Sequence, residues 1–255
     1  MKIVSIVKHV PDVNATVRTT NGEVDSTEAT WVLDGMDEYG VEQAVQLQER
    51  FAGIEVVVLV LGPERAVDAA LSAMALGADR GIHVLSPDHV DPVVAAHVLA
   101  SIVRDEAPDL VFVGGKQADW DSAALGPALA EVLDWPLSDW TTSLSAEDGY
   151  VDVVHDIDDG TESLRLALPA VITTQQGLNE PRYPSLPNKM RARRKPIETV
   201  EFTDLVAKLA PSAMLGVAVS GYAAAARARQ NRVLDGDTAA VAAKLARLLR
   251  EEGAA

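Results

Sequence analysis

Phosphate binding is the chemistry that the residues of this chain support most directly. The segment 114–122 reads Gly-Gly-Lys-Gln-Ala-Asp-Trp-Asp-Ser and follows an apolar run over 109–113. Two adjacent glycines let backbone N–H groups approach an anion, and a helix capped by Asp121 or Ser122 would add its N-terminus. The spacings of a Walker loop and of the GxGxxG dinucleotide fingerprint do not occur, and a tight turn without a ligand is an equal alternative.

Side chains that could carry bond-making chemistry are sparse. The histidines show no HxxxH or HExxH spacing, the chain has no cysteine, and no GxSxG elbow occurs. These absences argue against zinc sites, thiolate nucleophiles, disulfides and iron–sulfur clusters. Asp12 and Asp37 are more typical of helix caps than of metal ligands. We therefore expect no catalytic residue and no metal site, and we favour a binding or carrier protein.

A basic segment in an acidic chain is the second feature that suggests binding. Residues 178–195, here called the basic segment, carry six of the 22 Lys and Arg residues against Glu180 alone, while the whole chain has a net charge of -16. Three prolines in its first half disfavour helix and central strand. We predict an exposed loop that presents Tyr183 and Leu186 to a partner, with a solvated linker as the alternative.

The overall charge and the N-terminal sequence limit the class of protein. A sequence pI of about 4.6 argues against nonspecific binding to nucleic acid, which requires a broad positive surface. Met1 leads directly into the apolar stretch 3–7, and no later apolar run approaches the roughly 20 residues of a membrane-spanning helix. We expect a cytoplasmic protein without membrane insertion.

Short β-branched runs alternate with helical patterns up to about residue 135. The runs are apolar on both faces, as in parallel strands covered by helices, and the helical patterns repeat every three to four residues. This order predicts a doubly wound, mainly parallel α/β sheet. The predicted strands are 3–7, 54–61 and 109–113, and the predicted helices are 37–51, 67–74, 94–102 and 125–132.

The pattern changes after Pro136. Alternating runs over 141–174, separated by Asp-Gly turns, predict an antiparallel addition to the parallel sheet. We assign residues 1–196, including the basic segment, to one α/β domain. Residues 197–255, with a helical stretch over 238–252, are assigned to a C-terminal arm. Ligands of open α/β sheets bind beyond the carboxyl ends of strands where the strand order reverses, which points to the loops 8–12, 60–63 and 114–122.

Several blocks of the sequence resemble the beta subunit of electron transfer flavoprotein, over about residues 1–205. The most specific are Asp-Ile-Asp-Asp-Gly-Thr-Glu at 156–162, Leu-Pro-Ala-Val-Ile-Thr at 168–173 and Leu-Asn-Glu-Pro-Arg-Tyr at 178–183. The chain departs from the family pattern in four ways. Asp34-Gly35 replaces the Asn-Pro common before the first helix, although Asp34 is still expected to cap that helix, and the nucleotide loop is one residue shorter than in some relatives. Trp120 stands where small or acidic residues are common, and His155 stands where Arg or Lys is usual. The other similar blocks are 7–12, 37–44, 75–80 and 115–118.

The resemblance implies a Rossmann-like, adenine-nucleotide-binding subunit of a heterodimer. The alpha subunit would hold a redox-active FAD at the interface, take electrons from flavin dehydrogenases such as the acyl-CoA dehydrogenases of fatty acid oxidation, and pass them to a membrane quinone oxidoreductase. This subunit would bind AMP structurally, and its arm would pack on the alpha subunit. One alternative is an electron-bifurcating flavoprotein that oxidises NADH and holds a second FAD in place of AMP. Another is an adenine-nucleotide sensor without a redox role.

Carried over to this sequence, the resemblance assigns two sets of residues. Leu186 would anchor in a hydrophobic pocket of the dehydrogenase, and Asp156 would face a dehydrogenase arginine. Tyr183, Arg191 and Arg194 complete the expected partner-binding set. The expected AMP-binding residues are Ile6, Asp34, Gly35, Met36, Asp37, Leu61, Gly115, Lys116, Gln117, Ala118, Asp119, Trp120, Asp121, Ser122, Ala123, Ala124, Leu125 and Gly126.

Overall fold

A nine-stranded sheet forms the centre of the larger of two units into which the chain divides, Met1–Tyr222 and Ala223–Ala255. The computed structural model describes residues 1–14, 18–20, 22–25, 29–214, 216–223 and 231–253. The strands are β1 (Lys2–Val7), β2 (His9–Pro11), β3 (Arg18–Thr20), β4 (Glu23–Asp25), β5 (Trp31–Leu33), β6 (Glu55–Gly62), β7 (Arg80–Leu85), β8 (Leu110–Gly114), β9 (Leu137–Glu147), β10 (Tyr150–Ile157), β11 (Gly160–Ala167), β12 (Ala170–Thr174) and β13 (Ile197–Glu201). The helices are α1 (Gly35–Arg50), α2 (Val67–Leu76), α3 (Pro92–Glu106), α4 (Leu125–Leu133), α5 (Leu186–Ala192), α6 (Phe202–Val206) and α7 (Thr238–Glu251).

The strand order confirms the predicted doubly wound, mainly parallel sheet. The order is β11-β10-β9-β12-β8-β1-β6-β7-β13, and all neighbours from β9 to β13 are parallel. The hairpin of β10 and β11 adds the predicted antiparallel part at the β9 edge. β12 also lay within the predicted antiparallel region, but it runs parallel between β8 and β9. All five of its residues are buried, as in a central strand.

The central strands are apolar on both faces because each face has its own hydrophobic core. Ile3 and Val7 of β1 join the core under α1 and α2, whereas Val4 and Ile6 join the core under α3 and α4. Successive side chains of a strand point to opposite faces, so a strand between two helical layers needs apolar residues at every position. This requirement explains the continuous apolar runs in the sequence.

The sheet extends beyond residue 196, where the sequence suggested a domain boundary. β13 pairs in parallel with β7 from Ile197 to Glu201, and Leu205 of α6 is buried. The structure therefore places the boundary after Tyr222. The strand was missed because its short, charge-interrupted run, Ile-Glu-Thr-Val-Glu, resembles a polar linker. In the smaller unit, Asp237 caps α7 by accepting a hydrogen bond from Ala240 N at 2.8 Å.

The end of β8 packs directly against the first turn of α1. Gly114 N donates a hydrogen bond of 2.9 Å to Asp37 Oδ1. A methyl group on Gly114 would lie only 2.4 Å from that oxygen, well inside van der Waals contact. Residue 114 therefore has to be glycine if the carboxylate is to keep its position.

We expect Gly114→Ala to lower the free energy of unfolding by about 1–3 kcal/mol, because the methyl group would displace the Asp37 carboxylate. Gly35→Ala is the matched control. Gly35 is exposed at the start of α1, and an added methyl group meets no atom within 4 Å, so alanine there should be neutral or stabilising by up to about 1 kcal/mol. Chemical denaturation of both variants checks this, and equal stabilities would contradict the close packing at Gly114.

Candidate functional site

A cleft opens where the strand order of the sheet reverses. From β1 the chain moves to β6 and β7 on one side, and β8 then pairs with β1 on the other side. The cleft lies at the carboxyl ends of β1, β6 and β8, and its empty space, including the part open to solvent, is about 580 Å³. Ligand sites of open α/β sheets occur at such a reversal.

The cleft brings together part of the predicted AMP-binding set. The predicted residues that line it are Ile6, Asp37, Leu61, Gln117, Trp120 and Leu125. The remaining predicted residues are not among the lining residues. They lie in the turn before α1, in the first turn of α1, in the loop between β8 and α4, or, for Gly126, in the first turn of α4. These are Asp34, Gly35, Met36, Gly115, Lys116, Ala118, Asp119, Asp121, Ser122, Ala123, Ala124 and Gly126.

Other lining residues lie outside the predicted AMP-binding set, although Lys8 belongs to the predicted ligand loop 8–12. They come from the end of β1, from the loop after β7 and from α3. The sequence contained a usable signal, because the loop after any parallel strand reaches the same edge of the sheet. That signal was missed because β7 had not been predicted as a strand. The added lining residues are Val7, Lys8, Asp88, Val90, Pro92, Ala95 and Leu99.

Asp37 ties the ends of β1 and β8 together at the reversal. Its side chain is 2% exposed. Oδ2 accepts a hydrogen bond from Lys8 N at 2.7 Å, and Oδ1 accepts one from Gly114 N at 2.9 Å. The carboxylate therefore accepts hydrogen bonds from two backbone N–H groups at the point where the strands end and diverge.

Asp34 is the N-cap of α1 and also contacts the loop after β8. Oδ1 accepts from Met36 N at 2.9 Å, and Oδ2 accepts from Ala118 N at 2.7 Å. The structure thus confirms Asp34 as the capping carboxylate expected from the family pattern. The interpretation of Asp12 and Asp37 as helix caps is wrong, because Asp37 lies one turn beyond the cap position. Asp12 instead accepts from Asn14 N at 2.8 Å in a turn.

Burial dominates the electrostatics of this carboxylate pair. It raises the pKa of Asp34, against the opposing effect of the hydrogen bonds from Ala118 and Met36. Burial also raises the pKa of Asp37 well above its ordinary value, and the neighbouring Asp34 charge adds to the rise. Both side chains direct their acceptor oxygens at the backbone, so their role in the cleft is to hold its walls in place.

The loop between β8 and α4 is held at both ends by close packing. A methyl group on Gly115 would lie 2.8 Å from the Trp140 ring, and one on Gly126 would lie 2.3 Å from the Thr173 side chain. Within the loop, Asp121 has a φ of 54°, in the left-handed region. The two glycines therefore serve close packing between the loop and its neighbours.

The first turn of α4 has no side-chain cap. The helix begins at Leu125, and its N-cap is Ala124. The predicted cap by Asp121 or Ser122 is wrong, because Asp121 pairs with Lys116 at 2.8 Å and Ser122 Oγ accepts from Ala124 N, which precedes the helix, at 3.4 Å. An uncapped first turn leaves backbone N–H groups available to an anion. Leu125 lines the cleft, so this turn lies beside it.

The residues that the structure describes contain neither a metal-binding cluster nor a membrane-spanning helix. Among them, no three His, Cys, Asp or Glu side chains cluster as a metal ion would require. Within the same residues, no helix is long and apolar enough to cross a membrane.

The basic segment is fastened to α1. Arg182 Nε donates to Glu42 Oε2 at 2.8 Å, and Arg182 Nη1 donates to Glu49 Oε1 at 2.6 Å. Glu42 is only 2% exposed, so Arg182 neutralises a buried carboxylate. The Arg182 hydrogen bond lowers the pKa of Glu49. Asn179 Nδ2 adds a hydrogen bond of 3.0 Å to the carbonyl oxygen of Tyr39.

Only part of the basic segment is a loop. The loop prediction is wrong for Leu186–Ala192, which forms α5. Ser185 caps this helix by accepting from Asn188 N at 3.3 Å. Pro187 lies in the first turn, where its missing N–H has no intrahelical acceptor to lose, so this proline does not oppose the helix.

An exposed apolar patch lies on the basic segment. Tyr183 is 99% exposed, Leu186 is 73% exposed and Met190 is 50% exposed. Leu186 and Met190 are four residues apart in α5 and therefore share one face. Arg191 and Arg194 are exposed nearby in sequence. Apolar side chains flanked by charges are typical of a docking surface.

Two of the basic side chains have structural roles instead. Arg182 binds α1, as described, and the Lys195 ammonium donates to carbonyl oxygens at the end of α2. Burial lowers the pKa of Lys195. The exposed basic residues of the segment are Lys189, Arg191, Arg193 and Arg194.

Asp156 lies outside the basic segment, on β10. It is exposed, and its Oδ2 accepts a hydrogen bond of 2.8 Å from Gln175 Nε2. The neighbouring His155 contacts Glu162 Oε2 through Nε2 at 2.9 Å and the Asp139 carbonyl oxygen through Nδ1 at 2.9 Å. Gln175, the residue after β12, thus helps to orient the Asp156 side chain.

Comparison with known proteins identifies the family. The family model of the electron transfer flavoprotein domain matches residues 22–205. The chain belongs to the electron transfer flavoprotein family. The electron transfer flavoprotein beta subunit of Bradyrhizobium diazoefficiens is 37% identical over 199 residues, covering 77% of this chain and 80% of the relative. That of Sus scrofa is 40% identical, covering 68% and 72%, and that of Bacillus subtilis is 32% identical, covering 80% and 80%.

These relatives confirm the resemblance seen in the sequence. All three are named as beta subunits, which implies an alpha-subunit partner for members of this family. The family model covers the loop between β8 and α4, which borders the cleft, and it also covers the basic segment. Both regions therefore belong to the part of the chain that matches the family.

We expect Arg182→Met to lower the free energy of unfolding by about 1–3 kcal/mol, because Glu42 would remain buried without its partner. The magnitude is below that of a fully buried pair, since the Arg182 side chain is 34% exposed. Adding Glu42→Gln should recover part of the loss. Urea denaturation of the single and double variants measures both effects.

Arg193→Met is the control for this prediction. It removes an exposed arginine from the same segment, so it should change stability by less than about 0.5 kcal/mol. If Arg182→Met were no more destabilising than Arg193→Met, the anchoring of the basic segment to α1 would be refuted.

Proposed function

We propose that this chain is the AMP-binding beta subunit of a heterodimeric electron transfer flavoprotein, with AMP in the cleft at the ends of β1, β6 and β8. The observation that carries the proposal is the position of the cleft at the reversal of strand order, lined by residues that the family resemblance assigns to AMP. AMP has a structural role. The redox chemistry belongs to an FAD held mainly by the alpha subunit at the interface.

The residues of the cleft fit an adenine nucleotide. Ile6, Leu61, Leu99 and Leu125 form aliphatic walls, and Trp120 adds an aromatic ring. A flat base packs favourably on such surfaces. The uncapped first turn of α4 supplies N–H donors for a phosphate beside these walls. The site thus offers an apolar part and an anion-binding part next to each other.

The exposed apolar patch is proposed as the docking site for flavin dehydrogenases, including acyl-CoA dehydrogenases. Leu186 would anchor in a pocket of the dehydrogenase, with Tyr183 beside it. Arg191 and Arg194 would steer the encounter, and Asp156 would face a basic side chain. Because Leu186 is mostly exposed before binding, its burial supplies affinity without loss of an internal contact. An electron carrier requires such short-lived complexes.

The C-terminal arm is proposed to pack on the alpha subunit. No residue of α7 is buried. Val241, Leu245 and Leu248 recur at the spacing of one helix face, and Leu245 and Leu249 are 47% and 40% exposed. An amphipathic helix with an uncovered apolar stripe is typical of a partner-binding helix. Electrons would then pass from the dehydrogenase to the FAD and on to a membrane quinone oxidoreductase, with this chain as a carrier subunit and not an enzyme.

A second FAD in place of AMP is the alternative, as in an electron-bifurcating flavoprotein that oxidises NADH. The two assignments differ in cofactor content. We expect the heterodimer, purified with its alpha subunit, to contain one flavin and one AMP. Flavin absorbance and mass spectrometry of the released nucleotides measure both. Two flavins and no AMP would support the bifurcating alternative, and no flavin at all would contradict an electron carrier.

Leu186→Ala should reduce kcat/KM for electron transfer from an acyl-CoA dehydrogenase by about tenfold or more, because the docking anchor is lost. Flavin content and thermal stability should stay unchanged, since Leu186 is 73% exposed. Val93→Ala, which truncates an apolar side chain that is 41% exposed on α3, is the control. Unchanged transfer in the Leu186 variant would rule out this docking site.

A further inference from the structure

The cleft has few positive charges on its walls. In the described part of the chain, Lys8 is the one cation among the lining residues, whereas Asp37 and Asp88 are lining carboxylates. One phosphate could bind the N–H groups of the first turn of α4. Each further phosphate adds negative charge, which a nearby cation stabilises and a nearby carboxylate destabilises. The number of available cations therefore bears on which nucleotide fits.

Lys8 is already engaged in an ion pair. Its Nζ lies 2.8 Å from Asp119 Oδ2 and 2.9 Å from Asp119 Oδ1. Lys8 lines the cleft and Asp119 does not, so the pair lies at the edge of the cleft. A cation held by a carboxylate offers a ligand less attraction than a free one.

Arg65 and Asp88 form a second ion pair at the edge of the cleft. The guanidinium of Arg65 donates to the Asp88 carboxylate and lies over the Trp31 ring, 3.9 Å from its centroid. Asp88 lines the cleft, whereas Arg65 does not. Arg65 therefore lies behind Asp88 as seen from the cleft, and Asp88 neutralises its charge.

The hydroxyl group of Tyr222 is close enough to Asp88 and Asp119 to be affected by their charges. Its hydroxyl oxygen is 3.2 Å from Nε2 of His89, the residue after Asp88. Burial raises the pKa of Tyr222, and the charges of Asp119 and Asp88 raise it further. Asp119 and Asp88 therefore both contribute negative charge at this edge of the cleft.

We propose that Asp88 makes the cleft selective for a nucleotide with a single phosphate, because it neutralises Arg65 and places a carboxylate on the cleft wall. The inference rests on the proposed AMP site and adds the residue that sets the number of phosphates. The same charge balance disfavours the pyrophosphate of FAD. A second flavin in this cleft would therefore face an unfavourable electrostatic environment.

Asp88→Asn tests this inference in the heterodimer with its nucleotide removed. The substitution keeps the size of the side chain and frees Arg65, which stays stacked on Trp31. We expect the wild type to bind AMP at least about tenfold more tightly than ADP, and the variant to lose most of that preference. Isothermal titration calorimetry with AMP and with ADP measures the four affinities.

Asp152→Asn is the matched control. Asp152 pairs with Arg165 at 2.7 Å, and Arg165 lies over the Tyr150 ring at 4.0 Å. This is the same combination of ion pair and aromatic contact that Arg65 makes, but its residues are not among those that line the cleft. This variant should keep the wild-type preference. An Asp88→Asn preference equal to that of the wild type, or a wild type that binds ADP as tightly as AMP, overturns the inference alone. A wild type that binds no AMP overturns the proposed function as well.

Discussion

Two backbone N–H groups, those of Lys8 and Gly114, donate to the buried carboxylate of Asp37, and the arrangement of the cleft depends on this pairing. At the reversal of strand order, β1 and β8 end and their chains diverge, so their last N–H groups lose ladder partners. A buried acceptor is needed there, and a carboxylate can accept both hydrogen bonds at once. Burial raises the pKa of Asp37, but the two donors offset part of that cost.

Helix α1 links the cleft to the proposed docking surface. The N-cap of α1 is Asp34, and its first turn carries Asp37, so the N-terminal end of the helix positions the walls of the cleft. One and three turns further along, Glu42 and Glu49 hold Arg182 and with it the basic segment. A helix is rigid over this length. A nucleotide bound at one end would therefore stabilise the scaffold that presents Leu186, which gives a structural AMP a physical role.

The parallel sheet could be predicted because strands such as β1 bury both faces and leave a continuous apolar signature, Ile3 to Val7. The position of the cleft could be predicted because ligand sites of open α/β sheets occur where the strand order reverses, which depends on topology alone.

By contrast, β7 contains Arg80, Gly81 and His83, so the sequence did not identify it as a strand, and Asp88 beyond it was missed as well. The contact between Arg182 and Glu42 joins residues 140 positions apart, and no local pattern encodes such a pair. Pro187 suggested a loop because its tolerance in a first turn depends on where the helix begins.

Occupation of the cleft by AMP is tested most directly by a crystal structure of the purified heterodimer. We predict electron density for one AMP at the ends of β1, β6 and β8. Its base should lie on the aliphatic wall that includes Leu61 and Leu99, and its phosphate should lie at the first turn of α4. A flavin in this cleft, or AMP bound elsewhere while the cleft stays empty, would contradict the proposal.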